Sequence, residues 1–187
     1  GTGGLVMELI ARRSALGTTT VSAWRMGIAA VAVLSVVLVR RRGHEVLDGL
    51  RRYPLSSVLV GIGVGGYQAL YFGAVVAVGV SISTVISLGI APVLLTGWEH
   101  ARARTRPTRA EALVLTLALS GLVSVGRAPA DGDRPTLGIA LALASGATYA
   151  ATTMVGKRMS TGTTALSVTT WTTVFGTVLL VPIAALA

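Results

Sequence analysis

The sequence has no cysteine and no asparagine, one glutamine (Gln68) and one lysine (Lys157). Without cysteine there is no disulfide framework and no thiolate metal site. Charge is also scarce: only 12% of the residues are Asp, Glu, Lys or Arg, where a soluble domain carries roughly a quarter. The two histidines, His44 and His100, fall in or beside different loops. There is no His-Glu-x-x-His, no pair of acids within an apolar run, and no serine–histidine pair at a common depth. No catalytic residue, metal site or cofactor is therefore expected, and the chain does not read as an enzyme. No charged stretch precedes the opening apolar residues, so there is no signal peptide to read.

What remains is apolar. Hydrophobic residues make up 52% of the chain and the mean hydropathy is +0.75. This composition predicts an all-α membrane protein, a polytopic helical bundle. The net charge of +9 does not point to nucleic acid. Its arginines sit in short clusters between long apolar runs, which is how a membrane protein fixes its orientation. A nucleic-acid face needs a contiguous basic surface outside the bilayer.

A span needs about 20 mostly apolar residues, and the charged clusters divide the chain into seven segments. Segment one, Gly1 to about Ala11, reads as the second half of a helix. Segment two runs from about Thr19 to Val39. Its uncharged part, Met26 to Val39, is 14 residues, about 21 Å, so the helix must include Arg25, whose side chain can snorkel to the interface. Tyr53 to Trp98 is free of charge for 46 residues, enough for two helices and a tight turn. The break falls at Gly79-Val80-Ser81, giving segment three from Leu55 to Val78 and segment four from Ser81 to Ala101. Segment five lies between Pro107 and Gly126, segment six from Leu137 to Arg158, and segment seven from Ala165 to Pro182 with an apolar tail.

The connections between segments two and three, four and five, and six and seven carry eleven basic residues; the opposite side carries Arg12, Arg13, Arg127 and Arg134. By the positive-inside rule the first set is cytoplasmic.

A repeat spans this pattern. Gly1 to Ser22 aligns with Gly146 to Ser167 through Gly1/Gly146, Arg13/Arg158, Gly17/Gly162, Thr18/Thr163, Thr19/Thr164 and Ser22/Ser167. Five helices separate the copies, so the second enters the bilayer from the opposite side. Inverted repeats are the signature of secondary transporters. The expected organisation is a first repeat over 1–126, a linker over 127–136, and the start of a second repeat over 137–187. A complete second copy implies ten helices and about 290 to 300 residues in the intact protein.

Three stretches carry a resemblance. Gly1-Thr2-Gly3-Gly4 followed by Trp24-Arg25, then Tyr71-Phe72-Gly73-Ala74 leading to Ser83 and Ile90-Ala91-Pro92, then Gly138 to Lys157, occur in the order seen in the drug/metabolite transporter superfamily. The chain resembles that superfamily's EamA-type ten-helix members. It departs where the family commonly ends its fourth helix in Gly-Glu-Arg: here the stretch is Ala103-Arg104-Thr105-Arg106, with the nearest acid at Glu99. The resemblance implies a solute exporter, often of amino acids, related metabolites or toxic compounds.

Candidate site residues follow from polarity at mid-membrane depth, where polar groups are costly unless they face a cavity or a partner. Gln68 lies near the middle of segment three, with Tyr71 at i+3. An amide and a phenol can bind a zwitterion or an aromatic solute; equally, Gln68 can join helices. Tyr67 is the more structural of the two tyrosines. Ser87 sits beside Pro92, which bends segment four and frees the carbonyl of Leu88, although such hydroxyls often bond back to their own helix. Tyr149 is the aromatic of segment six. The expected substrate-binding set is Gln68, Tyr71, Ser87 and Tyr149, with a kink at Pro92. Gly61 and Gly65 form a small-xxx-small pair for close helix packing. Glu99 and His100 could relay a proton or simply be solvated beside Arg102, and Glu8 is placed to pair with Arg12.

The expected function is a multi-pass transporter in the plasma or inner membrane, exporting small metabolites by alternating access. A channel and a non-transporting scaffold or sensor subunit are the alternatives. The expected partners are a small-molecule solute and the lipid bilayer, with no nucleic acid; a homo-oligomer is compatible with the sequence.

Overall fold

The computed structural model describes residues 18–126 and 134–185. Segment one, its Glu8–Arg12 pair and residues 127–133 of the expected linker lie outside the described residues. Seven helices and no strand occur among the described residues: α1 (Thr18–Val39), α2 (Gly43–Arg52), α3 (Pro54–Val78), α4 (Val80–Ala103), α5 (Arg109–Gly126), α6 (Pro135–Ser160) and α7 (Ala165–Ala185). Five of them, α1, α3, α4, α6 and α7, are long and apolar enough to cross a membrane. α5, at 18 residues, is about 27 Å long.

The distribution of side chains is not that of a soluble domain. Ser22, Ser57, Ser83, Ser87, Ser145, Ser167 and Thr170 are fully buried, while Leu38, Val39 and Val76 are more than two-thirds exposed. In water such a surface would be an aggregation site. In lipid it is the natural one, because hydrocarbon is as apolar as leucine and small residues let helix backbones approach. The chain is a polytopic helical membrane protein.

Helix ends fall where local chemistry stops them. α3 and α4 are separated by Gly79, whose φ of 92° suits a residue without Cβ. α1 ends in a Schellman turn: the Arg41 N–H donates to Leu38 O at 3.1 Å and the Arg42 N–H to Val37 O at 3.0 Å. The left-handed position of that turn is Arg41, with φ 50°, a conformation that costs a side-chain-bearing residue about 1–2 kcal/mol. α5 begins in a capping box. The Thr108 N–H donates to Glu111 Oε2 at 2.7 Å and the Glu111 N–H donates to Thr108 Oγ1 at 3.3 Å. Thr108→Ala is expected to destabilise the full-length protein by about 1 kcal/mol, read as a lowered unfolding midpoint; an unchanged midpoint would mean that the cap does not hold α5.

The helices cluster into two units. The first holds α1, α2, α3 to residue 69, α6 from residue 152, and α7. Its apolar centre is Ala23 and Met26 of α1 and Leu180 of α7, with Val64 and Ala69 of α3 against it. α3 meets α7 backbone to backbone. A Cβ on Gly61 would lie 3.1 Å from Trp171 O and 3.2 Å from Phe175 Cα, and one on Gly65 would lie 3.1 Å from Gly176 O. The predicted small-residue pair is thus a packing device.

The second unit holds α3 from residue 70, α4, α5, and α6 to residue 151. Ala74, Val78, Ile82, Ile86 and Ala142 form its centre, with Leu122, Ile139 and Leu141 alongside. Gly138 lies flush on Val78, and a Cβ on Gly146 would reach Ser87 O at 2.6 Å.

Helix α2 occupies what the sequence reading treats as the connection between segments two and three. It buries Val46 and Gly49. Its Val46 carbonyl accepts hydrogen bonds from Trp171 Nε1 at 2.8 Å and Ser167 Oγ at 3.3 Å, both on α7.

Candidate functional site

Many helix hydroxyls are satisfied by their own backbone. Ser57, Ser83, Thr84, Thr148, Thr170, Thr172 and Thr177 each donate to the carbonyl four residues earlier. Such groups are neutralised within the helix and are weak solute ligands.

Against that background two buried polar atoms of the membrane-embedded helices stand out, both in the first unit. Gln68 is 4% exposed and Ser22 is fully buried. Gln68 Oε1 and Ser22 Oγ have no hydrogen-bond partner among the described residues. Each neighbours a residue of one apolar cluster: Ala69 beside Gln68, Ala23 beside Ser22. Leaving such a group unpaired in a medium of low polarity costs about 1–3 kcal/mol, and a site that must release its ligand has reason to tolerate it. Ser22 was not singled out as a site residue from sequence, where it served only as one match of the repeat. Nothing in the sequence distinguishes it from the many serines that bond within their own helix.

The other candidates belong to the second unit. The Tyr71 hydroxyl lies 2.7 Å from Thr84 Oγ1. Thr84 Oγ1 donates its own proton to Val80 O at 2.7 Å, so Tyr71 is the donor and keeps its oxygen lone pairs. Its ring meets Phe72 edge-on, centroids 5.1 Å apart. Ser87 is 1% exposed, and its hydroxyl donates to Ala142 O at 3.1 Å. It braces α4 against α6, at the crossing where Gly146 also packs on Ser87. α4 runs unbroken through Pro92. The carbonyl that Pro92 leaves without its helical donor is that of Leu88, whose side chain is 54% exposed. Tyr149 is at the margin of exposure, 39%. His100 Nε2 lies 3.4 Å from Glu111 Oε2 and His100 Nδ1 lies 3.1 Å from Thr105 Oγ1, so the imidazole ties the end of α4 to the capping box of α5.

An open groove of about 710 Å³ in the first unit runs between α1 and α7, past Thr20, Ala23, Trp24, Gly27, Ile28 and Val181. Its walls are almost wholly apolar, and neither Gln68 nor Ser22 lines it. Among the described residues it offers a polar solute little recognition.

Residues 1–127 match the model of the EamA-like transporter family. The uncharacterized transporter YwfM of Bacillus subtilis (strain 168) is 29% identical over 138 residues, which are 73% of this chain and 45% of YwfM. The chain thus spans less than half the length of that relative. No solved structure matches the chain.

Proposed function

We propose that this chain, which belongs to the EamA-like transporter family, forms part of a secondary carrier that exports small metabolites, such as amino acids or related solutes, across the plasma or inner membrane by alternating access. The observation that carries the site is the buried carboxamide oxygen of Gln68, which has no partner among the described residues. It accepts a hydrogen bond from an N–H or O–H of the solute, and Ser22 offers a second such group. In the second unit, Tyr71 and Tyr149 are each a further candidate for solute contact, considered apart from the first. Ser87 braces two helices and stands outside the contact set.

The family match ends at residue 127, which supports a first repeat over 1–126, a linker over 127–136 and a second repeat from 137. In this reading the second repeat is inverted, and the carrier alternates by rocking one repeat against the other. The relative YwfM is named as a transporter, which supports the same class.

Expression of the full-length gene in a sensitive bacterial strain tests the proposal. Cells should tolerate higher concentrations of at least one toxic amino-acid analogue or dye, and should accumulate less of it when labelled. Unchanged tolerance across the panel, with the protein present in the membrane, would reject export. Flux that does not saturate with solute concentration would favour a channel.

A further inference from the structure

Helix α2 has no room to be a soluble excursion. α1 ends at Val39 and α3 begins at Pro54, so the ten residues of α2 run between the ends of two membrane-crossing helices. They must lie at the bilayer surface. Val46 and Gly49 face the protein, while Leu47 is half exposed. Arginines flank the helix on both sides: Arg40, Arg41 and Arg42 before it, Arg51 and Arg52 at its end, all exposed. The acids are fewer. Glu45 lies 3.6 Å from Arg42 and is taken up by it, which leaves Asp48 against four arginines. A short amphipathic helix with cationic ends and an exposed leucine has the character of an element that rests in a headgroup layer.

Two further features belong to this surface. Arg41 occupies the left-handed position of the α1 turn, where glycine would relieve strain, so a cation is held there against the local backbone preference. And α2 cannot drift. Its Val46 carbonyl accepts from Trp171 and Ser167, Gly49 is seated directly on Ser167, and Tyr53 packs on Gly162. The arginines are therefore displayed from a fixed platform joined to α7, not from a loose loop.

We propose that α2 and its flanking arginines Arg40, Arg41, Arg51 and Arg52 form a binding surface for the headgroups of anionic phospholipids. The phosphates sit between the two arginine clusters and Leu47 enters the upper acyl region. Binding there bears on α7 through the Val46 clamp.

The test uses the full-length protein purified in neutral detergent, supplemented with phosphatidylglycerol or phosphatidylcholine. Phosphatidylglycerol should be retained at least tenfold more strongly in native mass spectrometry and should raise the unfolding midpoint. That preference should shrink on raising salt, because exposed charge pairs are screened. The variant R40Q/R41G/R51Q/R52Q should lose the preference by at least tenfold and keep its response to phosphatidylcholine. The variant with lysine at the same four positions should keep the preference, which separates lost charge from lost folding. A charge-removed variant that retains the preference would overturn the proposal. So would a wild-type protein that shows none, or one whose midpoint rises as much with inorganic phosphate at matched charge.

Discussion

Gly61→Leu is expected to abolish accumulation of folded full-length protein. The Gly61 position on α3 faces the backbone of α7, with Trp171 O and Phe175 Cα at 3.1 and 3.2 Å from where a Cβ would stand. Neither is the end of a flexible side chain that could turn aside. The two helices would have to separate, and with them the Gly65–Gly176 approach one turn further on. Overpacking of a well-filled interior costs about 1–3 kcal/mol, and a clash with backbone belongs at or beyond the upper end. In a membrane the helices cannot recover that loss from hydrophobic burial, since lipid solvates them as well as protein does. Gly66→Leu is the matched control: nothing among the described residues lies within 4 Å of a Cβ there, so the protein should accumulate normally. Detergent-solubilised protein followed by fluorescence-detected size exclusion separates the two outcomes. A monodisperse Gly61→Leu peak of wild-type height would show that α3 and α7 are not held this way.

Those glycines were legible in the sequence as a packing pair because spacing alone places them on one helix face. The same holds for the spans. Charge-free runs set the lengths of α3 and α4, and Gly79 marked their break because a helix must end where the backbone turns left-handed. Other elements escaped for identifiable reasons. Val46, Gly49, Leu50 and Tyr53 have helical spacing, but α2 is short and lies among arginines that already had an explanation in orientation. The capping box is written out in the sequence as Thr108-Arg109-Ala110-Glu111, but Pro107 beside it is itself a residue suited to a helix entry. Hydroxyl direction was beyond reach altogether. Ser87 bonds across to Ala142 while Ser83 bonds back to Gly79, and nothing in their local sequence tells them apart. Partnerlessness is likewise a property of the fold. Ser22 and Gln68 are set apart by what surrounds them, which composition and spacing do not encode.

Gln68→Leu is expected to stabilise the full-length protein while removing at least nine-tenths of its transport. Leucine has nearly the volume of glutamine, so the packing around position 68 should survive. The substitution removes a buried oxygen that has no partner among the described residues, and with it a desolvation penalty of about 1–3 kcal/mol. The unfolding midpoint should therefore rise or hold. Transport should fall because the solute loses its acceptor. The buried groups of a site built for a hydrogen-bonding ligand discriminate strongly when one half of the bond is missing. Ser87→Ala should do the reverse: it removes the bond to Ala142 O, lowers stability by about 1 kcal/mol, and leaves the transport rate per folded molecule close to wild type. The two measurements together decide the role of Gln68. A Gln68→Leu protein that is less stable than wild type would mean that the carboxamide oxygen is bonded to another part of the full-length protein and joins helices. A variant that is stable and still transports would remove Gln68 from the solute path. Only the combination of retained stability and lost transport fits a polar group kept unpaired in the membrane for a ligand that arrives and leaves.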